Sequence, residues 1–141
     1  MEAAIRWFSL VTGTLSEEHY SDARHFKAIG LMSMLGGCTG INYYMFAGGT
    51  HFSGWGARGM TTSYDYNAAI HESGAVGDKY LAAKGLGEFL HKYESQLVRS
   101  TGGPCKIEGV PESVFGGVRM AKDGTLFVFL HNTDTGKLCK G

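Results

Sequence analysis

No charge of either sign is in excess in this chain: lysine plus arginine number 13, aspartate plus glutamate 13, and the formal net charge is zero. Without a basic stripe or a polybasic run there is no electrostatic footprint for nucleic acid or for an anionic membrane surface, so a neutral ligand fits better than a charged one. Long apolar runs are also missing. The longest, from Ala28 to Leu35, is far short of the roughly 20 residues that a membrane-spanning helix needs. The N-terminal MEAAIRWFSLV has an early acidic residue and lacks the charged region, long apolar core and small-residue cleavage site of a signal peptide, which leaves the compartment open. Cysteine is sparse. Cys38, Cys105 and Cys139 contain no C-x-x-C pair, which excludes a dense disulfide framework and a cysteine zinc site; isolated thiols of this kind are expected to pack as small apolar groups. Internal repeats and low-complexity segments are absent too.

What is present is enough apolar residue, 43% of 141, to bury one core. Ser21 as N-cap, Asp22 in the first turn, the run AIGLMSML and a Gly36-Gly37 stop predict a buried helix over 22–35, apolar nearly all round from Ala28 onward. Gly40 to Phe46, aromatic, branched and bounded by glycines, reads as a central strand, and a helix feeding a buried strand suggests a parallel α/β arrangement. Residues 47–76 then form a loop of about 30 residues without periodicity, a length that is generally functional or disordered; Phe52, Trp55, Tyr64 and Tyr66 favour an ordered one. A second helix is expected over 78–99, with Leu86, Leu90, Tyr93 and Leu97 on one face. Residues 100–104, Ser-Thr-Gly-Gly-Pro, read as a linker. Strands at 117–121 and 126–131 around a Lys122-Asp123-Gly124 turn look like the opening hairpin of a β domain.

The chemistry concentrates in the 40–80 region. A strand that ends in Gly48-Gly49 permits close backbone approach, and the tyrosines and tryptophan that follow offer stacking faces and hydroxyl donors, the usual means of gripping a sugar. The competing reading is that Tyr43, Tyr44, Tyr64 and Tyr66 are core aromatics with satisfied hydroxyls. Gly48-Gly49-Thr50 lacks the spacing of a phosphate loop. His51, Asp65 and His71 lack short metal-ligand spacing, so no metal or other cofactor is expected. Glycoside hydrolysis uses two carboxylates, about 5 to 5.5 Å apart in retaining enzymes. Among Glu2, Glu17, Glu18, Asp22, Asp65 and Glu72, spacing alone selects no pair, and Glu17-Glu18 before a helix suit its N-terminal dipole.

Two words in this region are specific. Residues 42–52, NYYMFAGGTHF, and residues 62–68, TSYDYNA, resemble the N-x-Y-M-(F/Y/H)-x-G-G-T-N-F and T-S-Y-D-Y-(D/N)-A words of family-35 glycoside hydrolases, the β-galactosidases. The resemblance implies that Glu2, five residues before Trp7, falls on the catalytic nucleophile. It implies that Trp7 packs on the apolar face of the galactosyl ring, that Tyr66 hydrogen-bonds near the reactive centre, and that Tyr44 lines the same pocket from the end of the eighth strand. His51 stands where the family has asparagine, and Ala69 where it has proline. Lys79-Tyr80 and residues 91–98 are similar to the final barrel helix, and residues 127–132 to an early strand of the next domain.

The fold implied is α/β: a fragment of a (β/α)8 TIM barrel, residues 1–99, then a linker at 100–104, then the start of a β-sandwich-like domain at 105–141. A full barrel takes about 250 residues, and the family's acid/base glutamate sits on a fourth strand that these residues do not include, so the sequence looks like a truncated reading frame or an excised piece. The expected activity is that of a retaining hydrolase of terminal β-galactosides, inactive as this chain alone. The alternative is a non-catalytic sugar-binding or structural fragment. Sheet edges left open by the missing strands would favour self-association.

Overall fold

The computed structural model describes residues 2–4, 22–57 and 59–134. The elements in order are β1 (Glu2–Ala4), α1 (Ala23–Leu35), β2 (Asn42–Tyr44), β3 (Gly49–Thr50), β4 (Ser63–Tyr64), α2 (Asp78–Leu97), β5 (Thr101–Pro104), β6 (Val114–Met120) and β7 (Leu126–Asn132). They fall into two units, one comprising Met1–Lys27 with Ile41–Gly87, the other Ala28–Gly40 with Glu88–Gly141. No helix among the described residues is long and apolar enough to cross a membrane.

In the first unit, β1 and β2 pair in parallel, with Glu2 opposite Asn42, Ala3 opposite Tyr43 and Ala4 opposite Tyr44. The strand expected over Gly40 to Phe46 is thus only three residues long, and among the described residues it has one neighbour rather than two. Its shortness has a local cause. Past Tyr44 the backbone turns its hydrogen bonds to another partner: the Phe46 carbonyl accepts from Ile70 N–H at 2.9 Å, and Gly48 N–H donates to the Ile70 carbonyl at 2.7 Å. The long loop is ordered, as its aromatic content suggested, by the short antiparallel ladder of β3 with β4 and by bridges from Ile70 to Ala47 and Val76. Phe26, fully buried, stacks on Tyr43 at 4.3 Å between ring centroids.

α1 begins one residue later than expected, and its cap is Asp22 rather than Ser21, which lies outside the described residues. The Asp22 carboxylate accepts from the His25 N–H at 2.9 Å, the third helical position, satisfying an otherwise orphaned donor. From Ala28 to Leu35 none of its residues is exposed. At the other end Gly37, at φ +84°, lets Cys38 N–H return to the Ser33 carbonyl and Gly37 N–H to that of Met34. This double closure is the Schellman pattern, for which the left-handed position favours glycine.

The second unit is built on an antiparallel sheet in the order β5-β6-β7. The hairpin is where the sequence put it, with Ala121 N–H bonded to the Thr125 carbonyl at 2.9 Å and Gly124 at φ +88°. Along β7, Phe127 and Phe129 are buried while Leu126, Val128 and Leu130 are exposed, the alternation of a strand with one covered face. Phe89 and Tyr93 of α2 meet Phe127 edge-on at 6.3 and 5.8 Å. The stretch expected as a linker is instead an edge strand: Thr101–Pro104 pairs with residues 117–120. Its glycines made it look flexible, yet they are what lets it pair. A Cβ on Gly102, at φ +129°, would lie 2.2 Å from the Val118 carbonyl oxygen, and one on Gly117 would lie 2.3 Å from that of Gly103. Proline is tolerated at such an edge.

Neither helix has a basic residue in its last turn. Arg119 of β6 supplies one. Its guanidinium donates to the Leu35 carbonyl at the end of α1 at 3.3 Å, and to the Ser100 carbonyl and hydroxyl beyond the end of α2 at 2.6 and 2.9 Å. A cation there opposes the negative ends of both helix dipoles. Cys38 and Cys105 are free thiols, the former donating to the Gly40 carbonyl at 2.9 Å; Cys139 lies outside the described residues.

Candidate functional site

The tyrosines of the first unit converge. Tyr44, at the end of β2, and Tyr64, on β4, share a hydroxyl–hydroxyl hydrogen bond of 2.6 Å. Tyr66 is 3% exposed, and its ring meets Tyr44 edge-on at 5.4 Å and Tyr64 at a tilt at 5.5 Å. Burial, reinforced by the Tyr44 hydroxyl and then by the charge Tyr44 and Tyr66 would carry, pushes the Tyr64 phenol well above the usual tyrosine range. Tyr64 therefore keeps its proton across ordinary pH, as a hydroxyl that can donate as well as accept must. Tyr44 is 37% exposed, so the group opens to solvent on its side.

The turn carrying Tyr66 has an uncommon backbone. Tyr66 and Asn67 both take left-handed angles, φ 60° and 46°, where side chains other than glycine are disfavoured. Two charged groups hold it. The Lys79 ammonium, 2% exposed, donates to the Asn67 carbonyl at 2.7 Å. Before the turn, the Asp65 carboxylate accepts from Glu72 N–H at 2.8 Å and from His71 Nδ1 at 3.0 and 3.2 Å. Burial alone would raise the Asp65 carboxyl, but the Glu72 N–H and His71 outweigh it and hold it below the usual carboxylate range. An ionised carboxylate only accepts, so the proton of His71 sits on Nδ1.

Glu72 is occupied in the same way. Thr50 and Ser63, directly opposed across the β3–β4 ladder, donate their hydroxyls to its two oxygens at 2.7 Å each. Asp65 and Glu72, the carboxylates nearest the tyrosines in sequence, are thus structural acceptors. Gly48 explains its own place here, since a Cβ on it would lie 2.6 Å from the Asp65 carbonyl oxygen and 2.9 Å from its Cα.

Of the residues singled out from sequence, Tyr44 and Tyr66 are brought together. Glu2 pairs through its backbone with Asn42, two residues before Tyr44. Trp7 lies outside the described residues. Asp65 and His71 meet, but His51 does not join them: its ring lies 5.1 Å from that of Tyr64, with Nε2 buried and without a hydrogen-bond partner among the described residues. Among the described residues no group of three His, Cys, Asp or Glu could hold a metal ion. The reading of the tyrosines as core aromatics with satisfied hydroxyls does not suit Tyr43, whose buried hydroxyl finds no partner among the described residues and whose phenol burial pushes up. Sequence reasoning missed the roles of Tyr64, Asp65, Glu72 and Lys79. The first two lay inside a word already singled out; the others leave no periodic trace.

The sequence model of glycosyl hydrolases family 35 matches residues 1–90. The β-galactosidase-1-like protein of Mus musculus is 32% identical over 121 residues, covering 81% of this chain and 18% of that protein. The β-galactosidase of Canis lupus familiaris is 39% identical over 83 residues, 55% of this chain and 12% of the relative, and that of Homo sapiens 38% over 72 residues, 48% and 10%. The chain spans less than a fifth of the length of these curated relatives.

Proposed function

The chain belongs to glycosyl hydrolases family 35, and from that premise we propose that it carries one wall of the active site of a retaining hydrolase of terminal β-galactosides. The observation that carries the proposal is the convergence of Tyr44 with Tyr64 and Tyr66: a hydroxyl hydrogen bond joins Tyr44 to Tyr64, and the Tyr66 ring meets both of theirs. Tyr66 and Tyr44 bind the galactosyl unit, Trp7 stacks on its apolar face, and Glu2 attacks the anomeric carbon, forming a glycosyl-enzyme that water then hydrolyses. The parallel pairing of β1 with β2 supports reading them as neighbouring strands of a (β/α)8 barrel, whose strand ends and following loops build such sites.

The step needs a proton donor for the leaving group, and the two carboxylates nearest the tyrosines in sequence are already engaged by His71, Thr50 and Ser63. Their engagement supports reading the 141-residue chain by itself as one that does not turn over an ordinary β-galactoside. That engagement equally favours the second reading, a wall that binds sugar without turnover. Among the described residues β7 is an edge strand, which suits self-association within the same proposal.

An activated substrate separates these roles. Dinitrophenolate departs from a 2-deoxy-2-fluoro-β-galactoside without a proton, so the reagent should leave one fluorogalactosyl group on the peptide holding Glu2, and none on Glu2→Gln. Absence of that adduct, or an adduct elsewhere, removes Glu2 as nucleophile. With an ordinary chromogenic β-galactoside no turnover is expected, and turnover abolished by Glu2→Gln would overturn the claim of inactivity.

A further inference from the structure

We propose that Asp65 is the positioning residue of the tyrosine cluster, closing a ring of hydrogen bonds between the strand that bears Tyr44 and the turn that bears Tyr64 and Tyr66. What the cluster grips rests on the galactoside reading above; that Asp65 sets its geometry does not.

The ring can be followed bond by bond. Beyond Tyr44 the chain is fastened at Phe46 and Gly48 to Ile70, through bonds of 2.9 and 2.7 Å. The two residues after Ile70 supply the donors that grip Asp65, His71 through Nδ1 and Glu72 through its backbone N–H. Asp65 lies between Tyr64 and Tyr66, so whatever fixes its carboxylate fixes the start of the left-handed turn that aims Tyr66. Glu72 adds a second tie from the same segment, clasping Thr50 of β3 and Ser63 of β4. The backbone of Asp65 is meanwhile pressed against Gly48, where no Cβ fits.

The residue type is dictated by its partners. The groups that grip the Asp65 carboxylate are N–H donors, His71 Nδ1 and the backbone of Glu72 with that of Asn67 beside them, and the first two between them reach both carboxylate oxygens. An alanine accepts neither. An asparagine can still accept from Glu72 N–H through its single oxygen, but its NH2 opposes the proton on His71 Nδ1. A longer glutamate would carry the acceptors past their donors. Tyr66 and Asn67 occupy backbone regions that persist only where the surroundings over-determine them, and on the N-terminal side Asp65 is the residue whose side chain does so.

The test uses the full chain with labelled tyrosines and follows contacts between rings by nuclear Overhauser effects, with the amide signals of β5–β7 as a control for folding. The wild type should show the Tyr44–Tyr66 and Tyr64–Tyr66 contacts. Asp65→Ala should weaken both at least threefold while the sheet amides stay in place, and Asp65→Asn should retain more than half of their intensity, a rescue that generic loss of packing would not give. Full ring contacts in a folded Asp65→Ala chain overturn the proposal. Should that variant not fold, His71→Ala removes one donor at a partly exposed position and should cut the Tyr64–Tyr66 contact about twofold; an unchanged contact overturns the proposal there as well. Titration with methyl β-galactoside keeps the two readings apart. If the rings respond to Asp65 as expected and the wild type takes up no galactoside, the positioning stands and the galactoside reading fails.

Discussion

The tyrosine loop and the β5–β7 sheet are ordered by different means. In the sheet, backbone pairing runs unbroken from Val114 opposite Asn132 to Met120 opposite Leu126, and burial alternates along β7. Alternation, the turn at 122–124 and small residues at Gly116 and Gly117 account for most of that hairpin. Between β2 and α2, regular pairing is limited to two residues on each of β3 and β4. Beyond that ladder and the bridges of Ile70, order there comes from named side chains, Asp65, Glu72 and Lys79, each answering particular donors or acceptors. A ladder spreads its stability over many equivalent bonds, while a side-chain network concentrates it in a few. The loop therefore spends residues on geometry, which is what a site needs and a scaffold does not.

Substitutions at the two places should break in different ways. The largest effect is expected from Gly117→Ala in the middle strand, where the new Cβ would meet the Gly103 carbonyl oxygen at 2.3 Å and the Pro104 Cα at 2.7 Å. Backbone on the far side cannot swing away as a side chain can, and a loss of about 3 kcal/mol is expected by urea denaturation, with the ring contacts of the tyrosines unchanged wherever the chain remains folded. Gly48→Ala forces a similar clash on Asp65 and should lose about 2 kcal/mol. Here the tyrosine contacts should go first. If Gly117→Ala disturbed the tyrosines as much as Gly48→Ala does, the contrast between the regions would fail.

Lys79→Met keeps the apolar stem and removes the charge-assisted bond to the Asn67 carbonyl. A loss of about 2 kcal/mol is expected, with galactoside uptake weakened alongside it. The smallest effect is in acid. The Asp65 carboxyl lies lower in the folded chain than its ordinary value of 3.8, so its contribution is fully present above that value and is lost as pH falls through the depressed one. Wild type should therefore lose more stability than Asp65→Asn between about pH 4 and pH 2 in acid melts, and equal losses would show that the carboxylate is not held as described.

Much of this was legible in the chain. The helix over 22–35 announced itself by an apolar run ended at Gly36-Gly37, and the hairpin by its turn residues, because both signals are local. The words around Tyr44 and Tyr66 pointed to the segments where the tyrosines meet. Thr101–Pro104 was not legible as a strand, since glycine and proline read as a linker unless the partner, Gly117 to Met120, is known to approach closely. Asp65, His71 and Glu72 were unreadable for a related reason: polar side chains that meet across a turn obey no period. Even the cap of α1 depended on whether Ser21 or Asp22 reaches the His25 N–H, which composition cannot decide.

The proposal to be tested is that Tyr44 and Tyr66, in the tyrosine cluster, bind a galactosyl unit. Equilibrium binding of methyl β-galactoside and of its glucose epimer to the purified chain, repeated with Tyr66→Phe, tests it most directly. The expected result is uptake of the galactoside, at least tenfold weaker uptake of the glucoside, and weakening of the galactoside by the loss of one hydroxyl at Tyr66. Equal binding of the two sugars, or galactoside binding untouched by Tyr66→Phe, would contradict it.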